Sequence, residues 1–114
     1  MKHVVKYQAH PWGREVWFTQ NDKALEKLGD QFDLDLERDT CNGLCWGTAG
    51  NIVVIWVRPG ASVGVLAHEC THAALDILKY CGINAHDADG EPMCYTIQRM
   101  VDTFSPHLLP PQSS

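Results

Sequence analysis

Residues 65–75 read Val-Leu-Ala-His-Glu-Cys-Thr-His-Ala-Ala-Leu, which sets two imidazoles and a carboxylate inside an otherwise apolar run. Ser62 ahead of the run is a good helix N-cap, and Cys81-Gly82 beyond it is a good stop. The pattern predicts one helix from Ser62 to about Tyr80. On such a helix His68 and His72 share a face, one turn apart, with Glu69 turned by about 100° around the axis. Burying three such groups with no common partner costs several kcal/mol. A shared partner is therefore expected; the alternative is two satisfied core histidines and a separately paired glutamate.

The residues before this helix supply a sheet. Ile52-Val53-Val54-Ile55-Trp56-Val57 is strongly β-prone and is stopped by Arg58-Pro59-Gly60. Leu44 to Thr48 forms the other arm of a hairpin across Ala49-Gly50. The run Ile52 to Val57 is apolar throughout, as in a central strand, which leaves the Leu44 to Thr48 arm nearer the edge. Gly43 and Gly47 allow close backbone approach there. Glu15 to Thr19 reads as a short strand. Asn21 or Asp22 then caps a helix carrying Ala24, Leu25 and Leu28, which Gly29 is expected to end. From Phe32 to Glu37 two periods compete, since Phe32, Leu34 and Leu36 alternate with acids while Leu25, Leu28 and Phe32 keep helical spacing.

After the motif helix, a loop from Ile83 to Gly90 leads into a second helix that starts near Glu91, with Pro92 in its first turn. Met93, Ile97, Met100 or Val101, and Phe104 give that helix an apolar stripe. Ser105 to Ser114 holds three prolines and is expected to be irregular and partly mobile. The expectation is a single α+β domain over residues 1–104. It would pack a small, mostly antiparallel sheet on the motif helix and on the second helix.

Composition removes several alternatives. The 114 residues carry a formal charge of −5 with nine scattered Lys and Arg, so neither nucleic acid nor an anionic membrane is expected as a partner. The longest apolar run, Ile52 to Val57, is far short of the ~20 residues that span a bilayer. Met1 to Gly13 has no apolar core of a secretory signal. Cys41, Cys45, Cys70, Cys81 and Cys94 make an odd count and read as free thiols in a reducing compartment. A cytoplasmic location is expected. Cys41 and Cys45 find no second pair to complete a separate zinc site. The oligomeric state stays open.

His68-Glu69-x-x-His72 is an HExxH sequence, whose imidazoles can reach one Zn²⁺ at ~2.0–2.1 Å. Glu69 then stands beside the metal as a general base for the water that the metal activates. Zinc hydrolases use three protein ligands. Positions 75 and 78 are both Leu, so the HExxHxxGxxH continuation is absent. Glu91, 19 residues after His72 and opening the second helix, ranks first as third ligand. His86 follows, with Asp87 and Asp89 also on the loop. Asp76 either accepts a hydrogen bond from the His72 ring or pairs with Lys79. Tyr95, four residues after Glu91, is a candidate donor to a developing oxyanion or else a packed aromatic. Cys94 is a core residue or a thiolate that closes the fourth metal position.

The order of these parts resembles the gluzincin metallopeptidases, and the size resembles their minimal single-domain members encoded by tailed phages and prophages. The resemblance rests on His68-Glu69-x-x-His72, an intervening loop, and Glu91 opening the next helix, and it covers about Asn51 to Phe104. It implies a zincin-like fold with zinc held by His68, His72 and Glu91, and Glu69 as base in peptide-bond hydrolysis. It also implies an edge strand that aligns an extended peptide or protein substrate beside the metal. One position departs from the pattern: large gluzincins often carry Asp four residues after the ligand glutamate, and here that residue is Tyr95. An expectation of a different class is a non-catalytic interaction protein, of viral origin, that keeps the peptidase-like fold around a structural zinc.

Overall fold

β-branched and aromatic residues mark where the sheet forms. The computed structural model describes residues 2–37 and 41–110. Its strands are β1 (Val5–Ala9), β2 (Arg14–Thr19), β3 (Gly43–Gly47) and β4 (Ile52–Val57). Its α-helices are α1 (Asp22–Phe32), α2 (Val63–Tyr80) and α3 (Glu91–Phe104), with short 3₁₀ turns at Asp87–Gly90 and Ser105–His107. The sheet order is β1-β2-β4-β3, which leaves β3 on one edge and buries Val53 to Val57 of β4 in the middle.

The expected, mostly antiparallel sheet is mixed. β1–β2 and β3–β4 are antiparallel, but β2 and β4 run parallel, with Glu15 opposite Ile52 and Thr19 opposite Trp56. The chain leaves β2, passes through α1 and β3, and re-enters beside β2 in the same direction; a parallel neighbour needs such a crossover. β1 was not anticipated from the sequence. Its Val5, Tyr7 and Ala9 turn inward while Lys6 and Gln8 stay exposed, an alternation too short to stand out.

Alternation along β2 and β4 divides the interior into two clusters. Val16, Phe18, Val53, Ile55 and Val57 pack against Leu66, Cys70, Ala73, Ala74 and Ile77 of α2 and Met100 and Phe104 of α3. On the other face Trp17, Val54 and Trp56 meet Leu25 and Leu28 of α1, with Phe32, Leu34, Leu36, Leu44 and Trp46 around them. The result is an α+β arrangement with helices on both faces of the sheet.

Asn21 caps α1, its Oδ1 accepting the Ala24 N–H at 2.9 Å. Gly29 does not end that helix. α1 continues to Phe32 and stops at Asp33, whose φ of +56° breaks the helical path. Gly29 is buried because Leu36 lies on it: a Cβ there would come within 2.7 Å of Leu36 Cδ1. Both competing periods are real, one on each side of Asp33. The helix holds through Phe32, and beyond it half-buried Leu34 and Leu36 alternate with exposed Asp33, Asp35 and Glu37 in chain that forms no strand.

Ser62 caps α2 through Oγ, which accepts the Val65 N–H at 3.2 Å, and Gly82 beyond its end has φ of +73°. On α3 the residues buried are Thr96, Met100 and Phe104, with Met93, Ile97 and Val101 half-buried. Thr96 Oγ1 accepts the Trp12 Nε1–H at 3.0 Å, tying α3 to the β1–β2 turn. The chain after α3 is fastened as far as Leu109, whose N–H donates to Gln20 Oε1 at 2.9 Å and whose carbonyl accepts from Gly60 N–H at 2.9 Å. Residues 111–114 of the expected tail lie outside the described residues. Among those described, no helix is long and apolar enough to cross a membrane.

Candidate metal centre

α2 presents His68 and His72 on an exposed face, one turn apart, with ring centroids 4.9 Å from each other and ring planes at 72°. Glu69 turns away from that face toward the sheet and is only 6% exposed. What receives it is the alternation along β3. Leu44 and Trp46 join the cluster on the α1 side, while Cys45 joins the one on the α2 side, flanked by Gly43 and Gly47. A Cβ at Gly43 would lie 2.9 Å from Glu69 Cγ and 3.1 Å from its Oε2. At Gly47 a Cβ would meet both carboxylate oxygens of Asp76 at 3.2 Å. The two glycines therefore make the space in which the acids of α2 lie against an edge strand.

Between β3 and α2 runs a groove made of two adjoining cavities that share Gly43, His68 and Glu69. One, of about 410 Å³, extends past Cys45 to His72, Asp76 and Gly47. The other, of about 460 Å³, extends to Cys41, Asn42, Ser62 and Val65. A larger cavity, about 760 Å³, lies apart among His3, Thr19, Asn21 and Leu109 and touches none of the motif residues. Size does not locate the chemistry here.

Burial holds the Glu69 carboxyl above the usual carboxylate range, opposed by the neighbouring His68 and His72. Burial likewise drives the Cys45 thiol far up, with Glu69, Asp76 and Cys70 adding to the effect. Cys70 is pushed up to about 12 by burial and then by Glu69. Both thiols stay neutral and act as small packing groups, as expected for Cys70.

Asp76 takes a partner the sequence did not suggest. Its Oδ2 lies 3.3 Å from Nη1 of Arg14, at the start of β2, in place of the expected His72 ring or Lys79. Arg14 is 3% exposed, donates from Nη2 to the Gly50 carbonyl at 3.3 Å, and lies with its guanidinium 4.3 Å from the Tyr80 ring centroid. The only sequence signal for it was a basic residue just ahead of the apolar run Val16-Trp17-Phe18.

The structure gathers His68, Glu69, His72 and Asp76 around one groove. Glu91, Cys94 and Tyr95 stand exposed on the first turns of α3, Tyr95 at 55%, and line neither cavity. His86, Asp87 and Asp89 are exposed on the preceding loop, where Asn84 Oδ1 accepts the His86 N–H and Asp87 Oδ2 accepts the Asn84 N–H. Among the described residues, no three or more His, Cys, Asp or Glu are gathered to hold a metal ion. The imidazole pair, open to the groove and flanked by the Glu69 carboxylate, offers donors of the kind zinc takes, while Glu91, the expected third ligand, lines neither cavity of the groove. Compared with models of protein families, with curated proteins and with solved structures, the chain matches none.

Proposed function

We propose that the protein is a zinc-dependent metallopeptidase with a zincin-like site. The observation that carries this reading is the pair His68 and His72 on the groove side of α2, with Glu69 beside them and the edge strand β3 opposite. His68 and His72 would hold the zinc, and Glu91 would complete the ligand set. Bound there, zinc supplies Lewis acidity toward a water and a scissile carbonyl. Glu69 accepts a proton from the attacking water and returns it to the leaving amine. The outer edge of β3 offers main-chain donors and acceptors to an extended peptide. Tyr95, on the same helix as Glu91, is the proposed donor to the oxyanion. Five free thiols accord with a reducing cytoplasm as the place of action, that of the host for a phage-encoded chain.

The test separates metal from chemistry. Glu69→Gln should keep both fold and zinc while hydrolysis of a broad peptide library drops by about 10²–10⁴-fold. Full activity in that variant contradicts the assignment of the base. Zinc-loaded wild-type protein that cleaves no peptide favours the interaction protein instead.

A further inference from the structure

We propose that the groove between β3 and α2 selects peptides carrying a lysine or arginine side chain, and that Asp76 is the residue that holds it. The charged side chains lining the groove are acidic. Glu69 and Asp76 contribute carboxylates, His68 and His72 imidazoles, and among the described residues no Lys or Arg lines either cavity. Neither acid is used up inside the fold. Glu69 is 6% exposed, lines both cavities, and makes no hydrogen bond or ion pair among the described residues. A carboxylate buried that far normally has a donor against it, and a missing one points to something that enters the groove. Asp76 is divided between two environments. Its Oδ2 is shut from solvent against Arg14 Nη1, yet its side chain is 41% exposed, so the open part is the side that carries Oδ1. Arg14 is itself tied to the Gly50 carbonyl. The pair therefore fixes the carboxylate in place and leaves one oxygen to accept from a cationic ligand.

Reach and register agree with an extended peptide. β3 is an edge strand, and Asp76 lies against it at Gly47. A strand added outside β3 runs about 4.8 Å from it, a gap that a lysine or arginine side chain spans. His72 and Asp76 are one helical turn apart, about 6 Å along the axis. Two residues of extended chain cover about 6.6 Å and return a side chain to the same face. Asp76 therefore meets the side chain about two residues along from the one beside His72. This selectivity names the substrate class of the site proposed above and rests on that reading for cleavage; binding needs neither metal nor turnover.

Fluorescence anisotropy on the full metal-free chain tests it. The probes are amino-acetylated Thr-Ala peptides, labelled at the carboxyl end, each with one central Lys, Arg, Met or Glu. The Lys and Arg peptides should bind about 5–10-fold tighter than the Met peptide, with the Glu peptide weakest and the preference shrinking at high salt. Asp76→Asn should abolish the preference. That variant leaves Arg14 buried without its anion, so the double variant Arg14→Met, Asp76→Asn repeats the measurement, with urea unfolding to check that each is folded. Equal binding of all four peptides by wild-type protein, no binding of any at about millimolar concentration, or a preference kept in the folded variants overturns the proposal. A Met peptide with a free amino terminus that matches the Lys peptide assigns Asp76 to a terminal ammonium and overturns the side-chain assignment. Zinc-loaded protein that cleaves peptides without regard to Lys or Arg sinks the selectivity and leaves the metallopeptidase reading standing. Selective binding without cleavage does the reverse.

Discussion

Strand β3 shows two unlike faces to the molecule. Toward α1 it offers Leu44 and Trp46, which complete a packed cluster with Trp17, Leu25, Leu28 and Trp56. There Trp17 and Phe32 meet edge-on at 5.5 Å, and Trp46 Nε1–H donates to the Asp35 carbonyl at 3.0 Å. Toward α2 the same strand offers Gly43, Cys45 and Gly47, and the helix answers with Glu69 and Asp76. Glycine inside a strand gives up packing and adds to the entropy lost on folding. A face built for stability alone would not place two of them opposite two carboxylates. One face of β3 serves as core, and the other carries the two glycines against which Glu69 and Asp76 lie, beside the groove proposed as the site.

Substitutions on the two faces should therefore separate stability from zinc chemistry. The largest loss is expected on the α1 side, where Leu28→Ala empties a fully buried position. Urea unfolding should show a cost of about 2–5 kcal/mol, with zinc affinity of the folded protein unchanged. Weakened zinc binding there would mean that the faces are coupled. Next, Gly43→Val drives a side chain into Glu69, and peptide hydrolysis should fall by about 100-fold for a stability change within about 1 kcal/mol. Wild-type rates would show that the cradle does not position Glu69.

Arg14→Met removes the cation beneath Asp76. Because Asp76 is partly exposed and can turn to water, the cost in thermal unfolding should be only about 1–2 kcal/mol. The smallest effect belongs to Gly47→Ala, whose Cβ asks a half-exposed carboxylate to shift by a few tenths of an ångström. Its cost should stay under about 1 kcal/mol; a loss matching that of Leu28→Ala would show that Gly47, too, is a core position.

The parts legible in the sequence are those fixed by local spacing. α2 could be read because a cap, an apolar run, the histidine spacing and a glycine stop all agree within one continuous segment. β4 could be read as central because every position in it is apolar. What could not be read depends on chain path. The parallel pairing of β2 with β4 follows from how the crossover returns, which neither strand encodes. Gly29 resembles a helix stop, and its real role comes from Leu36 arriving from beyond the helix end. The Arg14–Asp76 pair joins a strand to a helix distant in sequence. For the site itself, spacing on one helix assembled His68, Glu69 and His72, whereas the placement of Glu91 depends on a loop whose backbone no periodicity describes.

The central claim is that this groove binds zinc through α2, and metal analysis after zinc loading and exhaustive dialysis measures it most directly. Wild-type protein should retain about one zinc per chain, while His68→Ala and His72→Ala, each still folded by circular dichroism, should retain little. Folded wild-type protein that keeps no zinc, or a His68→Ala, His72→Ala double variant that keeps as much as wild type, would contradict it.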